Sequence, residues 1–203
     1  MLRKVVALVA LCLIPFSASA VAHAESVSSL TLIDERGDMW VVGPEEGPPV
    51  AAPRQRRGDI RRTIIRHGAH AVTVRTRFSE LSRKPQGHFL VVVLRTNTGV
   101  LRDVYIVAGQ FSRPPDWRGY VVVERRNGRP VDCAAAHNIN YTTNVMRLRV
   151  PRSCLQDPRW VQAKVFYTGV YGKGGTFALK EHFDNAHNAG SQATGWTRHI
   201  AHR

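Results

Sequence analysis

Apolar residues in this chain recur at every second position, in runs too short for helices. Val72, Val74, Thr76 and Phe78 alternate with Thr73, Arg75 and Arg77, and Met146, Leu148 and Val150 alternate with Arg147 and Arg149. A period of two places one set on each face of an extended strand, so both stretches read as half-buried antiparallel strands. Val161, Ala163, Val165 and Tyr167 repeat the pattern. Phe89 to Leu94 is apolar without a break, as in a central strand covered on both faces, and Val104 to Val107 and Tyr120 to Val123 are further β-rich runs. Gly-, Pro- and Asn-bearing segments separate them, at 66–68, 84–87, 97–99, 113–116 and 127–128. With 203 residues, 43% hydrophobic and 22% charged, the chain has the make-up of one globular domain. That excludes a coiled coil, a collagen or a wholly disordered polymer. The expected fold is all-β: a single antiparallel β-sandwich, jelly-roll-like, spanning residues 25–171 and carrying one disulfide.

Residues 1–24 read as an export signal. Arg3 and Lys4 precede the apolar run Val5 to Phe16, and small residues at Ala18-Ser19-Ala20 and Ala22-His23-Ala24 offer cleavage after Ala20 or Ala24. The run is shorter than the roughly 20 residues of a membrane span. Cys12 follows Leu11 within it, unlike the acylated Cys of a lipoprotein. Export leaves Cys133 and Cys154 as a pair in an oxidising compartment. A disulfide between them is expected, worth about 3 kcal/mol by loop closure. A reactive or metal-bound thiol is the rival reading, and neither Cys lies in a C-x-x-C or a Cys/His cluster.

Two segments break the alternation. Residues 43–58 hold Pro44, Pro48, Pro49 and Pro53, which suits an extended surface loop and not a central strand. Residues 172–203 turn to Gly, Asn, His and Ala, so weak order is expected between Gly172 and Gly195, with a last strand around Trp196 to Ile200. His182, His187, His199 and His202 fall here without helical zinc-site spacing, which favours a tail that happens to carry imidazoles.

The formal charge is +14, yet 24 of the 29 basic residues are Arg, a skew that codon usage alone produces. Arg54, Arg56, Arg57, Arg61 and Arg62 form the densest basic stretch, with Arg125 and Arg126 farther on. One reading is a solvated, strongly charged surface. The alternative is a site for anionic polymers, nucleic acid or cell-wall polyanions.

Chemical content concentrates at the start of the domain, in Asp34-Glu35-Arg36-Gly37-Asp38 and then Gly58-Asp59-Ile60, where a strand opens. Together with Arg147-Leu148-Arg149-Val150-Pro151-Arg152-Ser153-Cys154-Leu155, a strand that breaks at Pro151 into a short turn, these motifs resemble DOMON-like and family-nine carbohydrate-binding-module sandwiches over residues 29 to 170. The resemblance implies calcium at the early acidic positions, here Asp34, Asp38 and Asp59, and a sandwich face or rim that binds sugars, haem or other small ligands. Calcium takes six to eight oxygens, which carboxylates from two segments supply together with carbonyls and water. Against it stands a purely structural reading. Asp34 and Asp38 then cap the turn, Asp59 ties the loop to its strand, and Arg36, Arg57 and Arg61 neutralise them.

Sugar platforms would come from Trp40, Tyr105, Trp117, Trp160 and Tyr171. The sequence has no G-x-S-x-G, no H-E-x-x-H, no Gly-rich phosphate loop and no haem-ligand pattern, so no catalytic residue is nominated. Paired carboxylates on a sandwich scaffold keep a hydrolase as the third class. The expectation is a secreted, non-enzymatic binding or cell-envelope-associated protein, with extracellular carbohydrate or an anionic cell-envelope polymer as partner.

Overall fold

The computed structural model describes residues 28–42, 48–83, 87–98, 104–110, 118–171, 180–186 and 195–202. The expected signal segment and Trp117 lie outside them. Two antiparallel sheets face each other. The smaller has the order β1 (Ser29–Ile33), β4 (Ile60–His67), β5 (Ala71–Phe78), β10 (Val145–Pro151), β9 (Ala136–Asn140). The larger runs β3 (Val50–Ala51), β2 (Trp40–Val42), β12 (Lys180–Asn185), β11 (Trp160–Tyr171), β6 (Gly87–Thr96), β7 (Val104–Gln110), β8 (Tyr120–Arg125), with β13 (Ile200–Ala201) paired to β11. Among the described residues, no helix is long and apolar enough to cross a membrane.

The period-two pattern builds the core directly. Ile65, Val74 and Leu148 share one register row of the small sheet and are buried. Facing them, Leu90 pairs with Tyr167, Val92 with Val165 and Leu94 with Ala163, and all six are buried. Phe78 and Tyr167 meet between the sheets, edge to face, at 5.8 Å between ring centres. Burying such large side chains contributes about 1.5–3 kcal/mol each, so these rows supply a substantial share of the driving force for closure.

The strand that breaks at Pro151 passes into a 3-10 turn at Arg152–Leu155, as its sequence predicts. That turn carries Cys154, which is bonded to Cys133 with the Cα atoms 5.7 Å apart. The disulfide thus pins the approach to β9 against the end of β10.

The C-terminal segment departs from expectation. Between Gly172 and Gly195, where weak order was expected, residues 180–185 form β12 inside the large sheet, paired to β11 on one side and β2 on the other. Residues 172–179 and 187–194 lie outside the described ones. The last strand is shorter than expected, two residues at Ile200–Ala201. Trp196 lies under Arg95 and Lys164, with the cations 5.7 and 4.9 Å from its ring centre.

Candidate metal centre

The chain changes sheets between β1 and β2, and Asp34-Glu35-Arg36-Gly37-Asp38 makes the crossing. Gly37 adopts φ +79°, and a Cβ there would lie 2.7 Å from the Pro53 carbonyl oxygen, so the turn closes only on glycine. Its N–H donates to Asp59 Oδ1 at 3.5 Å. Gly58, at φ +82°, lets the loop press onto Tyr167, where a Cβ would sit 1.9 Å from the ring. Two glycines therefore bring the crossing turn, the start of β4 and the inner face of β11 into one place.

Asp184 enters that place from β12, at the register position opposite Tyr167, and faces the interior. One carboxylate oxygen from each of Asp34, Asp38 and Asp184 lies within 4.8 Å of the others. Asp34 and Asp184 are each 3% exposed. Asp34 Oδ1 accepts from the Glu35 N–H at 3.2 Å, whereas its buried Oδ2 has no hydrogen-bond partner. Asp184 Oδ2 accepts from the Ile60 N–H. Burial pushes the Asp34 carboxyl up to about 9, and the charges of Asp184 and Asp38 push the same way. Such a cluster must take up a proton or a cation.

The structure thus places two of the three expected ligands, Asp34 and Asp38, in one cluster with Asp184, and Asp59 lies close enough for charge to act between it and both of them. Asp59 is fully buried next door, but its oxygens are occupied by the Gly37 N–H and by the Ser79 hydroxyl, the latter at 2.6 Å. Burial raises its pKa, while Ser79, Gly37 and Arg61 hold it down. It plays the loop-tethering part. Nothing in the sequence near Asp184 marks it as a ligand. Its segment is polar and glycine-flanked, and its partners lie about 150 residues away.

The donor set suits a hard cation. All three groups are carboxylates, and calcium binds oxygens at about 2.3–2.6 Å, so oxygens on opposite sides of one ion stand roughly 4.6–5.2 Å apart. Three oxygens within 4.8 Å of one another are near the spacing that ligands of a single ion adopt. The unpartnered Oδ2 of Asp34 is a polar atom that hydrogen bonding leaves unused.

The basic stretch does not act as one unit. Arg57 pairs with Glu80 at 3.1 Å, and Arg54 stands apart on the loop. Arg56, Arg61 and Arg62 instead join Arg36 and Arg77 around a concavity of about 380 Å³. Of the ring candidates, Trp160 stacks on His199 at 3.9 Å between centres, and Trp40 is half-buried in β2. No row of exposed rings forms among the described side chains. His202 packs edge-on against His67, whose Nδ1 donates to the Ile200 carbonyl at 2.9 Å, so these histidines serve the fold. Compared with protein-family models, with curated proteins and with solved structures, the chain matches none.

Proposed function

We propose that this chain is an exported, non-enzymatic binding protein whose β-sandwich is completed by one calcium ion held by Asp34, Asp38 and Asp184. The observation that carries the proposal is the meeting of three carboxylates at the seam between the sheets, one of them buried with an unpartnered oxygen. The ion joins the β1–β2 crossing to β12 and replaces the proton that Asp34 otherwise keeps. Its part is structural: it fixes the turn that follows the edge strand β1 and, through Asp184, the start of β4. The resemblance to DOMON-like sandwiches agrees with calcium at Asp34 and Asp38 and supplies the expectation of a binding role. The disulfide suits an extracellular setting.

A ligand that binds only the folded state raises the melting midpoint. Extracellular calcium modules bind at about 0.1–1 mM. At a hundredfold excess the gain is about 2.7 kcal/mol, or roughly 5–10 °C for a domain of this size. The purified protein is expected to show that rise between chelator and about 10 mM calcium. Asp34→Asn, which mimics the protonated group, is expected to fold normally in chelator and to lose the rise. An unchanged midpoint in the parent protein, or an undiminished rise in Asp34→Asn, overturns the assignment.

A further inference from the structure

The outer face of the small sheet carries fifteen side-chain positions in three register rows. One row reads Ile33, Arg62, Arg77, Val145, Asn140. The next reads Thr31, Ile64, Arg75, Arg147, Asn138, and the third Ser29, Arg66, Thr73, Arg149, Ala136. Six are arginines and none is acidic. All six arginines are exposed, and none has a side-chain hydrogen bond or ion pair among the described residues. Arg62 stands directly opposite Arg77, and Arg75 opposite Arg147. Like charges in facing positions destabilise a sheet, so the fold maintains this arrangement against its own stability.

Shape accompanies charge. Arg66, Arg75, Arg147 and Arg149 border a concavity of about 580 Å³ on this face. Arg62 and Arg77 continue into the smaller concavity, where Arg36, Arg56 and Arg61 join the lining and Arg61 keeps a buried Nη1 without a partner. The positive track therefore runs from the middle of the sheet to its end. Its three rows alone extend roughly 14 Å along the strands, longer than one small anion.

We infer that this track binds an acidic polysaccharide, one whose sugars carry carboxylates. Guanidinium forks match planar carboxylates in paired hydrogen bonds. Thr73 lies between Arg66 and Arg149, and Ser29, Thr31, Asn138 and Asn140 flank the arginines on the two edge strands, where they supply partners for sugar hydroxyls. None of the fifteen positions is aromatic, so the face offers no platform for unpaired nucleobases. A broad sheet face does not enter the major groove of a duplex either, which takes a helix or a two-stranded ribbon. The inference stands apart from the cation site, because none of the three aspartates belongs to the face.

Polygalacturonate is the probe, with dextran and oligothymidylate as the neutral and phosphodiester comparisons, titrated calorimetrically at about 50 and about 300 mM salt. Polygalacturonate is expected to bind, more weakly at high salt, and dextran not at all. The pair Arg75→Gln and Arg147→Gln is expected to weaken binding about tenfold or more. Arg54→Gln with Arg126→Gln, which removes the same charge away from the face, is expected to change it less than about twofold. Equal losses in the two double variants reduce the effect to net charge and overturn the site. Tighter binding of oligothymidylate overturns the choice of polymer, and no binding of polygalacturonate overturns the inference. A melt of each variant in calcium and in chelator reads the cation site separately.

Discussion

The sandwich concentrates like charge twice and treats the two cases in opposite ways. At the seam, Asp34, Asp38 and Asp184 crowd together where Asp34 and Asp184 are almost fully buried. On the outer face, Arg62, Arg66, Arg75, Arg77, Arg147 and Arg149 crowd together in open solvent. Water and salt screen the arginines, so their repulsion is small and can be released by any anion that arrives. The aspartates have little such screening, and burial drives Asp34 to hold a proton near neutrality. Charge count alone does not separate these regions. Burial makes the first a demand for one ion and the second a salt-sensitive preference for many.

The strongest way to break the buried region is steric. Gly58→Ala puts a Cβ 1.9 Å from the buried Tyr167 ring and forces a side chain onto φ +82°. Left-handed backbone and overpacking together cost about 2–5 kcal/mol. Urea denaturation is expected to show that loss, whereas single substitutions among the six arginines stay within about 0.5 kcal/mol. A Gly58→Ala protein as stable as the parent would show that the seam is not tightly packed.

Acidity sharpens the contrast next. Asp34 has a folded pKa of about 9 against an ordinary 3.8, so in chelator its stabilising share is complete below about pH 4 and is lost as pH rises towards 9. His67 adds the opposite slope at lower pH. Burial lowers its pKa, so its share is present above about 6.5 and lost as pH falls through its folded value. Above pH 6.5, therefore, the calcium-free midpoint is expected to fall with rising pH, and calcium to flatten the fall. Near pH 7 each ion taken up is expected to release about one proton, measurable by calorimetry in buffers of different ionisation enthalpy. Asp34→Asn should release no proton and should lose the Asp34 share of the slope, leaving only the same-signed share of Asp59.

The smallest effect belongs to the open face. Arg75→Gln removes one of two facing positive charges and is expected to raise stability by a few tenths of a kcal/mol at low salt. At about 1 M salt, where screening acts within roughly 3 Å, the gain should vanish. A loss of stability instead would mean that Arg75 packs usefully against Ile64 and Arg147 and that the face is not held against repulsion.

How far these regions were legible in the sequence follows from how local their causes are. Strands β5 and β10 announce themselves, because one side of each is buried and the other wet, and the arginines occupy the wet side. Their convergence on one face was not legible, because register joins β4, β5 and β10 across about 80 residues. Ala136–Asn140 carries no strong strand pattern. It is an edge strand, recruited by pairing with β10. Lys180–Asn185 looked like tail because Gly, Asn and His surround it, yet pairing on both sides makes it a strand. That misreading hid Asp184. Asp34, Asp38 and Asp59 were legible as turn acids, but which of them lacks a hydrogen-bonding duty depends on Ser79 and Gly37, which only the fold brings near.

The span between Asp34 and Asp184 also orders events in time. A chain emerging amino end first presents Asp34 and Asp38 early and Asp184 only near the end. The strand that carries Asp184 slots between β2, from the beginning of the domain, and β11, from its last third. Until it does, the seam has two of its three carboxylates and the large sheet is interrupted between β2 and β11. Contacts of such separation form late. If the proposed ion binds there, its loading is the final latch of assembly, and a chain cut short before β12 would leave the latch open.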